Sequence, residues 1–307
     1  MKIVALAGGV GGAKLADGLA QLLPPENLTV VVNTGDDFEH LGLSISPDLD
    51  TVCYTLAGLA NPDTGWGRQG DTFLVLAALE KLGGPSWFKL GDLDLATHLE
   101  RTRRLRAGQT LSRVTSEFCQ SWGIEVRILP MSDDPVHTIV DTFEYGELPF
   151  QEYFVHRKCE PRVKGFRFSG IESARPATGV MDAIEQADGV VICPSNPWVS
   201  IAPILAVPGI RSGLAAKPVI AVSPIIGGQA VKGPAAKMFA ELGLQPSALA
   251  VARHYGELLS GFVLDKVDAD LAGSINVVTL ITDTLMKNKA DRLRLAQDVL
   301  NCIQRPA

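Results

Sequence analysis

Short apolar runs alternate with longer segments of helical periodicity along this chain. The runs are continuous stretches of Val, Ile, Leu and Ala, which is typical of parallel strands covered on both faces. We predict buried strands at 2–7, 28–33, 126–129, 189–193, 218–223 and 276–281. The first two strands, with a glycine turn and a helix between them, have the order and the length of a βαβ unit.

Helical periodicity fills most of the remaining chain. We predict helices at 13–22, 72–82, 93–107, 111–122, 177–187, 234–242 and 290–303. This alternation predicts a Rossmann-like, three-layer α/β/α fold with a mostly parallel sheet. Segment 138–169 is richer in aromatic residues and alternates more, so we predict a hairpin-like, β-containing insertion there. No Pro/Ser-rich linker divides the chain, which predicts a single domain over 1–307 with this insertion.

Composition narrows the class of protein. The 307 residues are 46% hydrophobic and 20% charged, which is ordinary for a globular chain with a large core. The net charge of −6 argues against a nucleic-acid partner. No stretch approaches the roughly 18 apolar residues that span a membrane, and the short N-terminal apolar run predicts a strand rather than a signal peptide. Five cysteines without a CxxC pair suit a reducing cytoplasm.

A glycine-rich loop, GGVGGAK at 8–14, follows the first predicted strand and opens a helix. Free amides at a helix N-terminus favour anions, and glycine lets a ligand approach the backbone. The candidate binding residues are Gly9, Gly11, Gly12 and Lys14. A tight turn that needs glycine only for packing is the alternative. A dinucleotide site is disfavoured, because Asn33 stands where an acid is expected after the second strand.

Aspartates gather after the second predicted strand. They are Asp36, Asp37, Asp48 and Asp50. Carboxylates at the carboxyl end of such a sheet suit Mg²⁺, which takes one or two of them together with substrate phosphate oxygens. Capping of the following helix is an equally good interpretation of Asp48.

The middle of the chain offers weaker candidates. Lys89 is expected at a strand end, and Asp92 either binds a ligand or caps a helix. Trp66 either stacks on a flat ring or covers the edge of the core. Along the next helix His98 is the only histidine that lies in a motif, and packing alone would explain it. A solvated face is the default for the arginines of that helix. Those arginines are Arg101, Arg103, Arg104 and Arg106.

Two further loops follow buried strands in the C-terminal half. Ser195 and Asn196 either cap a helix or donate to a phosphate or base, and Ser223 begins a second loop with Gly227 and Gly228. Adjacent strand ends meet at one edge of a parallel sheet, so these loops and the first one predict a single ligand crevice.

In this order the motifs resemble the CofD family, the 2-phospho-L-lactate transferases of coenzyme F420 biosynthesis. The matching segments are GGVGGAK at 8–14, VVNTGDD at 31–37, ISPDLDT at 45–51, KLGDLDLATH at 89–98, ILPMSDDP at 128–135, PSNPWVSIAPIL at 194–205 and SPIIGGQAVKGPA at 223–235. They span most of the chain.

The resemblance implies a reaction. A phospholactyl group moves from a guanosine diphosphate-linked donor to the deazaflavin Fo, giving coenzyme F420-0 and GMP with Mg²⁺. It implies Asp37 and Asp50 at the metal, Asp50 and Lys89 at the deazaflavin, and the loops at Ser195 and Ser223 around the guanosine. Asp50 as the catalytic general base is a hypothesis.

The resemblance leaves alternatives. Family members differ in the donor acid, and the segments GWGRQGDT and WFKLGDLDLATH look more like bacterial members, for which a phosphoenolpyruvyl donor is plausible. A homodimer is a family-level expectation. The rival function is that of a CofD-like regulator that binds nucleotide sugars without transferase activity; a deazaflavin-binding test separates the two.

Overall fold

The computed structural model describes residues 1–304, whose largest sheet has seven parallel strands. The strands are β1 (Ile3–Ala7), β2 (Leu28–Val32), β3 (Phe38–His40), β4 (Leu43–Ile45), β5 (Arg127–Pro130), β6 (His137–Thr142), β7 (Gly146–Pro149), β8 (Val163–Ser169), β9 (Gly189–Ile192), β10 (Val219–Val222), β11 (Ile225–Ile226), β12 (Gln229–Ala230), β13 (Gly261–Asp265) and β14 (Val278–Thr282). The order in the large sheet is β14-β13-β10-β9-β1-β2-β5.

Helices cover both faces of this sheet. They are α1 (Gly9–Leu22), α2 (Pro47–Leu56), α3 (Leu74–Lys81), α4 (Asp92–Arg106), α5 (Leu111–Ser121), α6 (Val180–Gln186), α7 (Ala202–Ala206), α8 (Ile210–Leu214), α9 (Ala235–Glu241), α10 (Ala248–Tyr255) and α11 (Lys289–Gln304). In the described part of the chain, no helix is long and apolar enough to cross a membrane.

The burial of β1 explains its continuous apolar sequence. All five of its residues are buried. Val4 and Leu6 join one hydrophobic cluster, whereas Ile3, Ala5 and Ala7 join another on the opposite face. Two covered faces leave no position for a polar residue, so the fold class predicted from the apolar runs is confirmed.

The strand order reverses between β1 and β9. The chain builds outward from β1 to β2 and β5, returns to β9 on the other side of β1, and continues through β10 to β13 and β14. In open α/β sheets, ligands bind outside the carboxyl ends of the strands at such a reversal. The fold therefore directs attention to the loops after β1, β2 and β9.

The six predicted strands are present with bounds that shift by at most two residues. The short strands β3, β4, β11 and β12 were not predicted, and one strand of the large sheet was also missed. That strand is β13, whose short apolar sequence adjoins Leu258 and Leu259 and gives no period of its own. Helix α1 begins at Gly9, four residues before its predicted start, because glycine's low helix propensity hides the first turn. The expectation that Lys89 ends a strand is wrong, because residues 82–91 form neither strand nor helix.

A small antiparallel sheet stands beside the large one at 137–169. Its order is β7-β6-β8, and a π-helical turn at Glu152–His156 separates β7 from β8. Its first strand contacts the loop after β2, since the Thr138 amide donates to the Gly35 carbonyl at 2.6 Å and the His137 ring nitrogen lies 3.1 Å from the Asp37 carbonyl. This sheet therefore supports one side of the aspartate loop.

Candidate active site

The loops after β1 and β9 interlock at the reversal of strand order. Ser195 accepts a hydrogen bond from the Gly8 amide at 3.1 Å and donates to the Gly8 carbonyl at 2.8 Å. A side chain at Gly12 would collide with Ser195 Oγ, and one at Gly11 would collide with the Pro194 carbonyl. Two of the predicted binding loops are thus brought together, and packing alone already requires glycine at positions 11 and 12.

Asp48 links the first glycine loop to the loop after β2. Its Oδ1 accepts from the Gly9 amide at 2.8 Å, and its Oδ2 accepts from Asn33 Nδ2 at 2.9 Å. The capping interpretation of Asp48 is therefore wrong, because its carboxylate leaves α2 and points at these two partners. Burial raises the pKa of Asp48 to about 6.

Asn33 has a role that the sequence analysis missed. Besides Asp48, its side-chain amide donates to the Val199 carbonyl at 3.1 Å, and its oxygen accepts from the Gly35 amide at 2.9 Å. Asn33 thereby joins three segments that are far apart in sequence. In the sequence, Asn33 stood out only because it occupies the position at which a dinucleotide site would carry an acid.

Asp36 and Asp37 each have a buried oxygen, Oδ1, without a hydrogen-bond partner among the described residues. The other oxygen of Asp37 accepts from Ser46 Oγ at 2.6 Å. Burial raises the pKa of both carboxyls well above the usual range, and the charge of Asp48 adds to the effect on Asp36. A buried carboxylate oxygen with a free lone pair is the kind of ligand that a hard cation takes.

Asp50 is held in a buried ion pair that was not foreseen. Arg101 Nη1 donates to its Oδ2 at 3.0 Å, and Nη2 contacts its Oδ1. Arg101 is only 3% exposed, so the expectation of a solvated arginine face is wrong at this position. Burial opposes the charge of Arg101, but Asp50 outweighs it and raises the pKa of the guanidinium.

Asp94 of α4 adds a second carboxylate beside the ion pair of Asp50 and Arg101. His98 lies between the two acids, with Nδ1 3.7 Å from Asp50 Oδ2 and Nε2 3.4 Å from Asp94 Oδ1. The Tyr54 hydroxyl donates to Asp94 at 2.7 Å. Burial alone would raise the pKa of Asp94, but contacts with His98, Tyr54 and Arg101 lower it. His98 therefore does more than pack, because it lies between two acidic side chains.

Two groups of side chains could hold a metal. Asp50, Asp94 and His98 present ligand atoms within 4.8 Å of one another, but Arg101 and Tyr54 already occupy their carboxylates. Asp37 instead offers a buried oxygen that has no hydrogen-bond partner among the described residues. The donor set at Asp37 therefore fits Mg²⁺ directly, whereas Asp50 would have to share its charge between Arg101 and a cation.

Lys89 and Asp92 lie in an exposed part of the chain. Asp92 accepts from the amides of Leu74 and Val75, both at 3.1 Å, so it caps α3 rather than its own helix. Asp71 caps α4 in the same way, because its carboxylate accepts from the Leu93 and Asp94 amides at 2.7 and 3.1 Å. Lys89 is exposed. Trp66 is also exposed, at 42%, and does not cover the core.

The C-terminal loops are largely explained by their own turns. Asn196 Oδ1 accepts from the Trp198 amide at 3.0 Å, as a cap does. Ser223 Oγ bonds within its loop to Ile225. Gly227 and Gly228 form the two-residue turn of the β11–β12 hairpin, and both have positive φ as such a turn requires.

Two lysines approach each other beside the first glycine loop. Lys14 Nζ donates to the Met286 carbonyl at 2.9 Å, and Lys232 Nζ contacts the Thr64 carbonyl. Burial lowers the pKa of both, and the charges of Arg292 and Lys232 lower that of Lys14 further. Neither ammonium forms an ion pair within residues 1–304. Two such neighbouring ammonium groups suit a bound anion. Of the two lysines, the sequence analysis had named only Lys14 as a candidate binding residue.

A cavity of about 760 Å³ lies far from these groups. It opens at the amino ends of β1, β2 and β5, where Lys2, Thr29 and Arg127 line it. The functional groups described above lie at the carboxyl ends of the strands. This cavity therefore lies at the opposite edge of the sheet from the candidate site.

A model of the family described as 2-phospho-L-lactate transferase CofD matches residues 3–298. The chain belongs to the CofD family. It is thus a member of a transferase family that acts in coenzyme F420 biosynthesis, and the expectation of an enzyme is confirmed.

Named relatives of this CofD protein carry two descriptions. A "Phosphoenolpyruvate transferase" of Streptomyces griseus is 50% identical over 276 residues, covering 88% of this chain and 87% of that protein. A "2-phospho-L-lactate transferase" of Methanosarcina acetivorans is 45% identical over 266 residues, covering 87% and 86%. A crystal structure of a UPF0052 family member from Bacillus halodurans has a TM-score of 0.64 at 15% identity, covering 97% and 98%, which shows a shared fold.

Proposed function

We propose that this CofD protein transfers a phosphoenolpyruvyl group from a guanosine diphosphate-linked donor to the deazaflavin Fo, with Mg²⁺. The products would be dehydro coenzyme F420-0 and GMP; a 2-phospholactyl donor would give coenzyme F420-0. The observation that carries the proposal is the convergence of the first glycine loop, the loop at Ser195 and buried carboxylates at one reversal of strand order. Phosphoryl transfer depends mainly on positioning and charge neutralisation, and this arrangement supplies both.

The choice of donor acid rests on relatedness. The named phosphoenolpyruvate transferases are 47–50% identical to this chain, whereas the named 2-phospho-L-lactate transferases are 41–45% identical. The two acids differ slightly in shape, and a pocket discriminates such small differences only weakly. A competition between donors is therefore part of the test.

The acceptor hydroxyl of Fo would attack a phosphorus of the donor. A new O–P bond forms, the P–O bond to GMP breaks, and the hydroxyl proton must leave. We propose that Asp50 takes this proton or holds the hydroxyl, since the ion pair with Arg101 fixes its buried carboxylate in place at this edge of the sheet. Asp37 would hold Mg²⁺ with substrate oxygens, and that cation would neutralise charge on the diphosphate.

The donor phosphates have a candidate position of their own. Lys14 and Lys232 would contact them, because both ammonium groups lie beside the first glycine loop and form no ion pair in the described chain. Ser195, Asn196, Ser223, Gly227 and Gly228 remain the proposed guanosine side, and Lys89 with Asp92 the proposed deazaflavin side. Ser195, Asn196, Ser223 and Asp92 already form hydrogen bonds within the protein, so their loops would contact a substrate mainly through backbone groups and exposed atoms.

The test is an incubation of the full chain with Fo, Mg²⁺ and donors carrying each candidate acid, followed by mass spectrometry. A condensed Fo product together with GMP supports the proposal, and the product mass identifies the acid. If no donor reacts while guanosine diphosphate still binds, the regulator without transferase activity becomes the better account. Near-full turnover by Asp50→Asn would remove that residue from the catalytic role.

A further inference from the structure

Arg68 is a partly buried arginine for which the described chain supplies no acidic partner. It belongs to residues 61–70, between α2 and α3, which we call the Arg68 loop. Its Cζ lies 5.5 Å from the centre of the Tyr54 ring, and its buried Nε has no hydrogen-bond partner within residues 1–304. The buried guanidinium of Arg101, by contrast, is paired with Asp50. Because a guanidinium stays charged and unpaired buried donors cost free energy, Arg68 suits an anionic ligand.

Tyr54 connects Arg68 to the acidic network of the candidate site. It lies on α2 one turn after Asp50, and its hydroxyl donates to Asp94 Oδ1 at 2.7 Å. Burial raises the pKa of Tyr54, and the negative charges of Asp50 and Asp94 add to this effect. The tyrosine therefore lies within electrostatic reach of both carboxylates. The guanidinium over its ring borders the place where Asp50 would meet the acceptor hydroxyl.

The Arg68 loop also contacts the groups proposed for the donor phosphates. Lys232 Nζ contacts the Thr64 carbonyl of this loop. A side chain at Gly65 would come within 2.8 Å of Val10 in the first glycine loop, so the two loops pack directly against each other. One part of the Arg68 loop thus lies at the phosphate side, and Arg68 itself lies at the side of the acidic network.

Backbone contacts hold the Arg68 loop in this position. The Gln69 amide donates to the Leu59 carbonyl at 2.8 Å, and Arg68 itself forms an antiparallel bridge with Ala60. The backbone that carries the guanidinium is therefore fixed before a ligand arrives. A fixed position favours binding, because less conformational freedom is lost when the ligand is held.

We propose that Arg68 binds the carboxylate of the donor acid, an inference that rests on the proposed function. In both phosphoenolpyruvate and 2-phospholactate, the carbon joined to the phosphate oxygen also carries a carboxylate. With the diphosphate at the two lysines and the attacked phosphorus facing Asp50, that carbon lies beside the Arg68 loop, which spans the two positions. The forked donors of a guanidinium match a carboxylate through two parallel hydrogen bonds. Because both acids have this carboxylate, Arg68 holds either one.

The test measures the binding of two ligands to the full chain by titration calorimetry, with Mg²⁺ and without Fo. One is lactyl-2-diphospho-5′-guanosine, and the other is the ethyl ester of guanosine diphosphate, which lacks only the carboxylate. Wild type should bind the lactyl ligand at least about thirtyfold more tightly, since the other ligand leaves the guanidinium unpaired.

The variants assign this preference to one side chain. Arg68→Met should bind the lactyl ligand about thirtyfold more weakly than wild type does, and the ethyl ester equally well. Arg68→Lys keeps a charge without the forked donors, so it should lose roughly tenfold, and it remains informative where the methionine variant does not fold. Arg103→Met is the matched control, because Arg103 is exposed and pairs with Glu100, and it should bind both ligands as wild type does.

Two results would overturn the proposal. One is a wild type that shows no preference for the carboxylate, and the other is an equal loss of affinity for both ligands in Arg68→Met, which would mean that the arginine only packs on Tyr54. Product formation from Fo in the same samples separates this proposal from the proposed function. Binding that depends on Arg68 and on the carboxylate, without any product, would contradict the transfer to Fo and still support the carboxylate site.

Discussion

The loops that meet after β1 and β9 and the segment from 61 to 93 are both rich in candidate residues, but they are held in opposite ways. Where the two loops meet, Ser195 and Gly8 exchange hydrogen bonds across 187 positions, and the surrounding groups are buried. In the other segment, Asp71 and Asp92 only tie two exposed helix starts to each other. The comparison teaches that the candidate residues differ in burial. We call the buried group of Asp37, Asp48 and Asp50 the preformed site, and the more exposed surface at Lys89 and Asp92 the adaptable border.

The largest effect should come from breaking the buried ion pair of the preformed site. In Arg101→Met, Asp50 loses its guanidinium partner in a buried position, which costs about 3–5 kcal/mol. Chemical denaturation would measure the free energy of unfolding. Arg103→Met is the matched control, because Arg103 is exposed and pairs only with Glu100, and it should change stability by less than about 1 kcal/mol. Equal losses in both variants would contradict the distinction.

Asp48 should make the stability of the protein depend on pH. Its folded pKa of about 6 lies above the unfolded value of 3.8, so the folded state holds the proton more tightly. This contribution is full below pH 3.8 and is lost as pH rises through about 6, a change of up to about 3 kcal/mol. Melting curves between pH 4 and 7 would show a smaller decline in Asp48→Asn. Asp270→Asn, at an exposed acid, should keep the wild-type slope.

Asn33→Ala should have a somewhat smaller effect. The substitution leaves Asp48 Oδ2 and the Val199 carbonyl without their donor in a buried position, at about 1–3 kcal/mol. Urea unfolding would measure the loss, and Asn301→Ala, on the exposed side of α11, is the control. A loss no larger than that of the control would show that Asn33 does not join the three segments.

The smallest effect should appear at the adaptable border. Asp92→Ala removes the acceptor for the Leu74 and Val75 amides, so hydrogen exchange should accelerate at these two positions. The exchange of β1 amides should stay unchanged, because the contacts of Asp92 lie in the other region. Faster exchange throughout the chain would mean that the two regions are not independent.

The sequence predicted the parallel sheet well because its strands are buried on both faces and need unbroken apolar runs. It also predicted that the loops after β1, β2 and β9 lie at one edge, as they do, since the carboxyl ends of parallel strands must meet there. It could not predict that Arg101 is buried, because its partner Asp50 is 51 positions away and charged helix faces are usually solvated. For the same reason Asn33 and Lys232 escaped notice, as their roles depend on contacts between distant segments.

The central claim is that the preformed site holds a metal-assisted group transfer to Fo. The most direct measurement is product formation by wild type, Asp37→Asn and Asp270→Asn across a Mg²⁺ titration, with product masses recorded. We predict condensed Fo and GMP from wild type and from Asp270→Asn, no product with EDTA, and a loss of at least a hundredfold in Asp37→Asn. Full turnover by Asp37→Asn at low Mg²⁺, or no transfer by the wild type with any donor, would contradict this account.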